Sequence, residues 1–245
     1  SASSAAAATS PMLATEYSTT VTNAHQLQMM LMHLGANYSL LADIAAEGTG
    51  NGREVWGTLG FVPVGSAADP YSGTFDGRRH KISGLTINRW DNNVGLFGYT
   101  KNAAIRNTGL SGSRVRGNTS VGGIVGYNNA STISNSYATA FVSGEVIGQP
   151  GYGDKIGGLV GYNNKSSISN CSANGIAYGY RYVGGLVGYN NAGSISNSHA
   201  STKVNARGRG AGGLIGESNT GTLTNSYARG TVLANKMANT GGLIG

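Results

Sequence analysis

The sequence predicts an all-β protein, a right-handed parallel β-helix (solenoid) with a short N-terminal capping helix. Three observations point there. Six copies of one motif run through the chain: Val94-Gly-Leu-Phe-Gly-Tyr99, Gly122-Gly-Ile-Val-Gly-Tyr127, Gly157-Gly-Leu-Val-Gly-Tyr162, Gly184-Gly-Leu-Val-Gly-Tyr189, Gly212-Gly-Leu-Ile-Gly-Glu217 and Gly241-Gly-Leu-Ile-Gly245. Measured between Gly95, Gly123, Gly158, Gly185, Gly213 and Gly242, the intervals are 28, 35, 27, 28 and 29 residues, a period typical of stacked coils. Each of the first five motifs is followed at fixed spacing by an aliphatic residue and an Asn: Ile105 and Asn107, Ile133 and Asn135, Ile168 and Asn170, Ile195 and Asn197, Leu223 and Asn225. Finally, Gly supplies 41 of 245 residues while charged residues are only 11%, well below the roughly 25% of an average soluble chain. Uncharged side chains suit a stack in which like residues lie one above another and like charges would repel.

The elements follow in order. Residues 1–10 are Ser, Ala and Thr, without the basic and apolar regions of a signal peptide, and residues 1–16 read as a disordered tail or linker. A helix is expected next, capped by Asn23, with Leu27, Met30, Leu31 and Leu34 at helical spacing and Gly35 as its stop; it would cover the first open rung. Short apolar or alternating runs at 38–44, 61–64 and 81–87 read as strands, so residues 17–93 form a cap and first coils and residues 94–245 the repeat stack.

Within the stack, Ile124, Leu159, Leu186 and Leu214 are expected to form one inward column, and Ile133, Ile168, Ile195 and Leu223 another. Alternation then sends Val125 and Tyr127 to the opposite face from Ile124, unless the chain bends at Gly126. Ile168→Asp is expected to unfold the stack locally and Ser166→Asp to be nearly silent. Stacked Asn107, Asn135, Asn170, Asn197 and Asn225 read as a hydrogen-bonded ladder. Length varies only after this Asn, so the long segment between Ser143 and Lys155 reads as a tolerant loop. Cys171 stands alone where other repeats have Ser136, Ser198 and Ser226, and reads as a small packed residue.

The motif Gly-Gly-Leu-Val-Gly-Tyr-Asn-Asn followed by Ser-Ile-Ser-Asn-Ser resembles the GLUG repeat of bacterial surface and secreted proteins. That repeat occurs in filamentous-haemagglutinin-like adhesins and in the non-catalytic part of immunoglobulin A peptidases. Residues 20–87 resemble the lead-in of such adhesins. The resemblance implies a secreted or cell-surface location and a non-catalytic role in adhesion.

The residues themselves offer little chemistry. His25, His33, His80 and His199 form no His-Glu-x-x-His motif, and Asp69 and Asp76 alone do not make a glycosidase. No cofactor or metal is expected, and no apolar run approaches the ~18 residues of a membrane span. Surfaces are more informative. Arg114, Arg116, Lys155, Arg181, Arg207, Arg209 and Lys236 all precede a Gly pair, so with net charge +7 they are expected to line one edge. Tyr99, Tyr127, Tyr162 and Tyr189 form a second column suited to sugar rings. Arg114, Arg116, Arg181, Arg207 and Arg209 with Tyr127, Tyr162 and Tyr189 are therefore the candidate ligand-contact residues. The expected partner is a host or bacterial surface glycan or receptor, including acidic polysaccharides, without membrane insertion or specific nucleic-acid recognition. Because the sequence stops inside a motif at Gly245, it is expected to be part of a longer chain. Two further readings stand beside this one: a non-catalytic region of a large surface peptidase, and a carbohydrate-active β-helix enzyme.

Overall fold

A single repeat of this length cannot bury its own apolar residues, so each must lie on its neighbour. The computed structural model, which describes residues 12–144, 153–235 and 239–245, shows how. The chain winds into a β-solenoid of about six turns. A regular coil has four strands, illustrated by Asp154–Gly157, Val160–Asn164, Ser167–Ser169 and Ser172–Gly179. Each strand pairs in parallel with its counterparts above and below, giving four sheets: an edge sheet, a motif sheet, a short-strand sheet and a long-strand sheet. Register follows the repeat residue for residue: Val160 lies over Val125, Tyr162 over Tyr127, Ile168 over Ile133 and Ala173 over Ala138.

The motif's peculiar alternation is settled at a corner. Gly158 and Leu159 form a bend between the edge strand and the motif strand. There the carbonyl of Leu186 accepts from two successive amides, Leu159 N at 2.9 Å and Val160 N at 3.0 Å. The same shared acceptor recurs at Leu159, which accepts from Ile124 and Val125, and at Leu214, which accepts from Leu186 and Val187. Sharing one carbonyl breaks the period of two, as a bulge does, so both aliphatic residues of each motif enter the core. Leu159, Val160, Leu186 and Val187 are all fully buried. The chain thus turns before Val125, and alternation breaks a second time at Gly126, which the strand ladder skips, leaving Tyr127 at the surface and Asn128 buried.

Glycine is required at this corner because backbone meets backbone. A Cβ on Gly185 would stand 2.1 Å from the Gly213 carbonyl oxygen of the next coil and 2.9 Å from Ala200 Cβ. Gly242 holds the same place in the last motif, with nothing within 4 Å. Gly185→Ala should therefore cost about 1–3 kcal/mol in overpacking, and Gly242→Ala close to nothing. Urea denaturation of both variants checks this; equal midpoints would mean that the glycines answer to some other constraint.

The aliphatic columns form as expected, with Ile105, Ile133, Ile168 and Ile195 at most 1% exposed, while Leu223 in the last complete coil is only partly covered. Ser166 departs from its expected placement. Ser166 is 5% exposed rather than solvent-facing, and its hydroxyl bonds the Asn164 and Asn128 carbonyls while accepting from Ser131 N. Ser166→Asp would disrupt that cluster. The outward residues are those flanking the aliphatic position, such as exposed Ser194 beside Ile195.

At the N-terminus, Asn23 caps a helix, its side chain accepting from Gln26 N at 2.9 Å, but the α-helix spans only Ala24–Met29. It tightens into a 3-10 turn over Met30–Met32 and ends at His33, before Gly35, leaving Leu31 37% exposed. Leu27 and Met30 seal the same core as Val21, Tyr38 and Leu40. Buried Gln28 fixes the following segment: it donates to the Val62 carbonyl and accepts from Val62 N and the Trp56 indole. The expected strand at 61–64 is instead irregular backbone with one bridge, Val64 to Phe97. The runs at 38–44 and 81–87 each divide into two strands, the second at Gly84, whose φ is +68°. The tail expected over 1–16 is folded at its far end, where Ala14–Glu16 form a 3-10 turn and Glu16 meets His25 at 3.4 Å. The core runs unbroken from Val21 to Ile215, so residues 17–93 and 94–245 share one hydrophobic interior.

Candidate ligand-contact surface

Residues that recur in every coil are mostly consumed by the stack itself. The Asn predicted as a ladder is bonded at two of its four steps: Asn135 Nδ2 donates to Asn107 Oδ1 at 3.4 Å and Asn225 Nδ2 to Asn197 Oδ1 at 3.3 Å. It has a second reason to be Asn. Asn107, Asn135, Asn170, Asn197 and Asn225 have φ of 46° to 53°, the left-handed region that Asn tolerates better than most residues.

Two further ladders come from the Asn-Asn pair after Tyr127, Tyr162 and Tyr189, which sequence reasoning left unassigned although the pair recurs visibly. The inner one is buried: Thr100 donates to Asn128, Asn128 to Asn163 at 2.9 Å, and Asn163 to Asn190 at 2.8 Å. The outer one links Asn219, Asn191, Asn164 and Asn129, each donating to the next at 2.7 to 2.9 Å. Cys171 belongs to a parallel set of hydroxyls, its thiol donating to the Ser169 carbonyl as Ser136 and Ser198 do to theirs. Burial pushes that thiol up to about 12, so it packs rather than reacts.

The tyrosine column is also a ladder. Ring centroids of Tyr99, Tyr127, Tyr162 and Tyr189 follow one another at 4.6, 4.5 and 5.2 Å with planes within 20° of parallel. Each interior ring therefore has both faces covered by its neighbours, and what reaches solvent is the edge and the hydroxyl. Burial, and then the adjacent tyrosines, push the Tyr127 hydroxyl up to about 12. Tyr127 and Tyr162 thus offer hydroxyl edges, not ring faces, to a ligand, while Tyr189, the last ring, lies over Tyr162 and meets Tyr182 edge to face at 5.3 Å.

The basic residues do not form one column. Arg114 and Arg116 lie on the long strand Gly109–Arg116, in register with Phe141 and Ser143, and Arg116 rests over the Phe141 ring at 5.7 Å. Arg181, Arg207 and Arg209 gather farther along, at the corner between the long-strand and edge sheets. Amides in this corner are tied coil to coil: Arg207 N to Gly179 O, Gly208 N to Tyr180 O and Tyr182 N to Arg209 O. Tyr180, Arg181, Arg207, Gly208 and Arg209 line a cleft of about 500 Å³. Asp154 directly under Arg181 in the edge sheet engages it through both carboxylate oxygens, Nε to Oδ1 at 3.0 Å and Nη2 to Oδ2 at 2.5 Å. Those hydrogen bonds, and then the charge, raise the guanidinium's hold on its proton. Lys155, next in sequence, stands 5.8 Å over Tyr162. Lys236 and most of the loop between Ser143 and Lys155 lie outside the described residues.

Comparison with known proteins agrees with this architecture. A family model described as the GLUG motif matches residues 117–143, 155–177 and 179–205. Halomucin from Haloquadratum walsbyi is 37% identical over 114 residues, 45% of this chain and 1% of halomucin, so the chain spans only a small fraction of that relative. A crystal structure from Bacteroides ovatus, provisionally named an immunoglobulin A1 protease, superimposes with a TM-score of 0.58 over 90% of this chain and 84% of its own, at 19% identity. That likeness is one of fold. The chain carries GLUG repeats wound as a parallel β-solenoid, and the matches fit a repeat region of surface or secreted proteins. Among the described residues no helix is long and apolar enough to cross a membrane.

Proposed function

We propose that this chain is a non-catalytic stalk and contact region of a secreted or surface-attached adhesin-type protein, which holds acidic glycans along its basic corners. One observation carries the reading. What recurs between coils is spent on packing, as Gly corners, Tyr and Asn ladders and aliphatic columns, whereas the arginines that break the repeat stand outside it. Repetition thus builds a stiff rod, and variation decorates its surface. Arg114 and Arg116 form one basic group, Arg181, Arg207 and Arg209 the other, and the tyrosine edges of Tyr127, Tyr162 and Tyr189 supply hydroxyl contacts.

Retention on immobilised heparin tests this. The parent should bind at low salt, with affinity falling steeply as salt rises, because cations condensed on the polyanion are released on binding. Replacing the five arginines by Ser should abolish retention and leave the melting temperature nearly unchanged, as exposed substitutions generally do. A parent that is not retained at low salt removes the polyanion reading. The Bacteroides ovatus neighbour's name favours a second reading, a repeat region of a larger peptidase, which the flanking sequence would decide. Release of reducing ends from an acidic polysaccharide would instead support a carbohydrate-active enzyme.

A further inference from the structure

We propose that the corner cleft lined by Tyr180, Arg181, Arg207, Gly208 and Arg209 is a subsite for a single uronic acid residue, its carboxylate on Arg207 and Arg209 and its ring against Tyr180. The inference rests on the polyanion reading above and gives it a place and a chemistry.

Stacking makes the cleft electrostatically unusual. Counting back from the registered pair Val183 and Ala211 places Arg209 over Arg181, so the two arginines leave adjacent rungs about 4.8 Å apart. Like charges at that spacing repel unless an anion intervenes. Asp154 supplies one on the far side of Arg181, and this pair uses two of the five guanidinium N–H donors. Arg209 enters no ion pair among the described residues. Arg207 is steadied by the Tyr178 ring, 5.2 Å beneath its guanidinium carbon. An incoming carboxylate therefore meets guanidiniums whose planar forks match it, carried on backbone that the coil-to-coil hydrogen bonds of the corner hold in place.

Gly208 lets Tyr180 and Arg181 pack closely against this turn. A Cβ there would stand 2.8 Å from the Tyr180 carbonyl oxygen and 3.2 Å from both Arg181 Cγ and Tyr180 Cε1. The volume, about 500 Å³, is within the range of small-ligand sites. Tyr180 is 37% exposed and, unlike the motif tyrosines, does not lie in their stacked column. In a uronic acid the carboxylate is bonded to the ring carbon framework, so ring and anion arrive together, which is what one tyrosine beside a guanidinium pair can take. A nucleic acid separates its phosphate from its base and gains affinity from successive stacking platforms, of which the cleft has one.

The test is titration of the whole 245-residue chain with trigalacturonate, its methyl ester, inorganic sulfate and a short single-stranded DNA. Trigalacturonate should bind, and its ester should bind about tenfold more weakly, having lost the charge that the forks recognise. R207S/R209S should lose about tenfold in affinity, R207K/R209K should recover only part of it, and R53S/K101S, with the same change in net charge, should bind like the parent. Y180A should weaken trigalacturonate and leave any sulfate binding unchanged. If the parent is retained on heparin but R207S/R209S binds trigalacturonate as well as the parent does, the subsite is wrong while the polyanion reading stands. If neither heparin nor trigalacturonate binds the parent, both are wrong. DNA binding tighter than trigalacturonate, or a Y180A variant indistinguishable from the parent, overturns the sugar assignment.

Discussion

Ile168→Asp should unfold the middle of the solenoid, whereas Ser194→Asp should melt within about 0.5 kcal/mol of the parent. Ile168 is fully buried in a column between Ile133 and Ile195, and no described base lies in that column to receive a carboxylate. An ionised carboxylate there costs several kcal/mol, so the group would remain protonated, with its pKa raised above the unfolded value near 3.9. The sign of the pH dependence follows. Protonation favours the folded variant below the unfolded pKa, and that relative stability is lost as pH rises through the raised folded pKa. The deficit of Ile168→Asp against the parent should therefore be smaller at pH 4 than at pH 7. Thermal melts at the two pH values check both points; a deficit independent of pH would mean that the side chain escapes to solvent.

Asn163→Ala is expected to be the next most damaging change, at about 2–5 kcal/mol. Asn163 accepts from Asn128 and donates to Asn190, and all three are wholly buried. Removing it strands an amide donor on one side and an amide oxygen on the other, and each unsatisfied buried group costs about 1–3 kcal/mol. Asn164→Ala, in the outer ladder, removes comparable hydrogen bonds, but its neighbours Asn129 and Asn191 are only half-buried and water can replace it. Denaturant midpoints of the two variants should separate clearly. Similar midpoints would show that water reaches the inner ladder too.

The sequence by itself determined the stack: period, parallel register, the aliphatic columns and the exposed Asn ladder. The physical reason is repetition, because a solenoid lays residue n over its equivalent one repeat later, so that a list of equivalents is already a list of contacts. The helix cap at Asn23 was legible for a local reason, since a side chain accepting from an amide three residues on needs no tertiary partner. What the tertiary structure decided lies between strands of the same coil. The doubly used carbonyls of Leu159, Leu186 and Leu214 arise at a corner whose angle depends on the packing of two sheets, so the inward placement of Val160 beside Leu159 was beyond a period-of-two rule. Ser166 was misplaced for the same reason, being a corner residue turned in to its carbonyl partners. The arginines show the limit most clearly. Their common position before each Gly pair suggested one column, yet segments of unequal length do not stay in register, so Arg114 and Arg116 remained on a long strand while Arg181, Arg207 and Arg209 met around a cleft. Repeats propagate contacts along the axis, and only the fold decides how one coil closes around it.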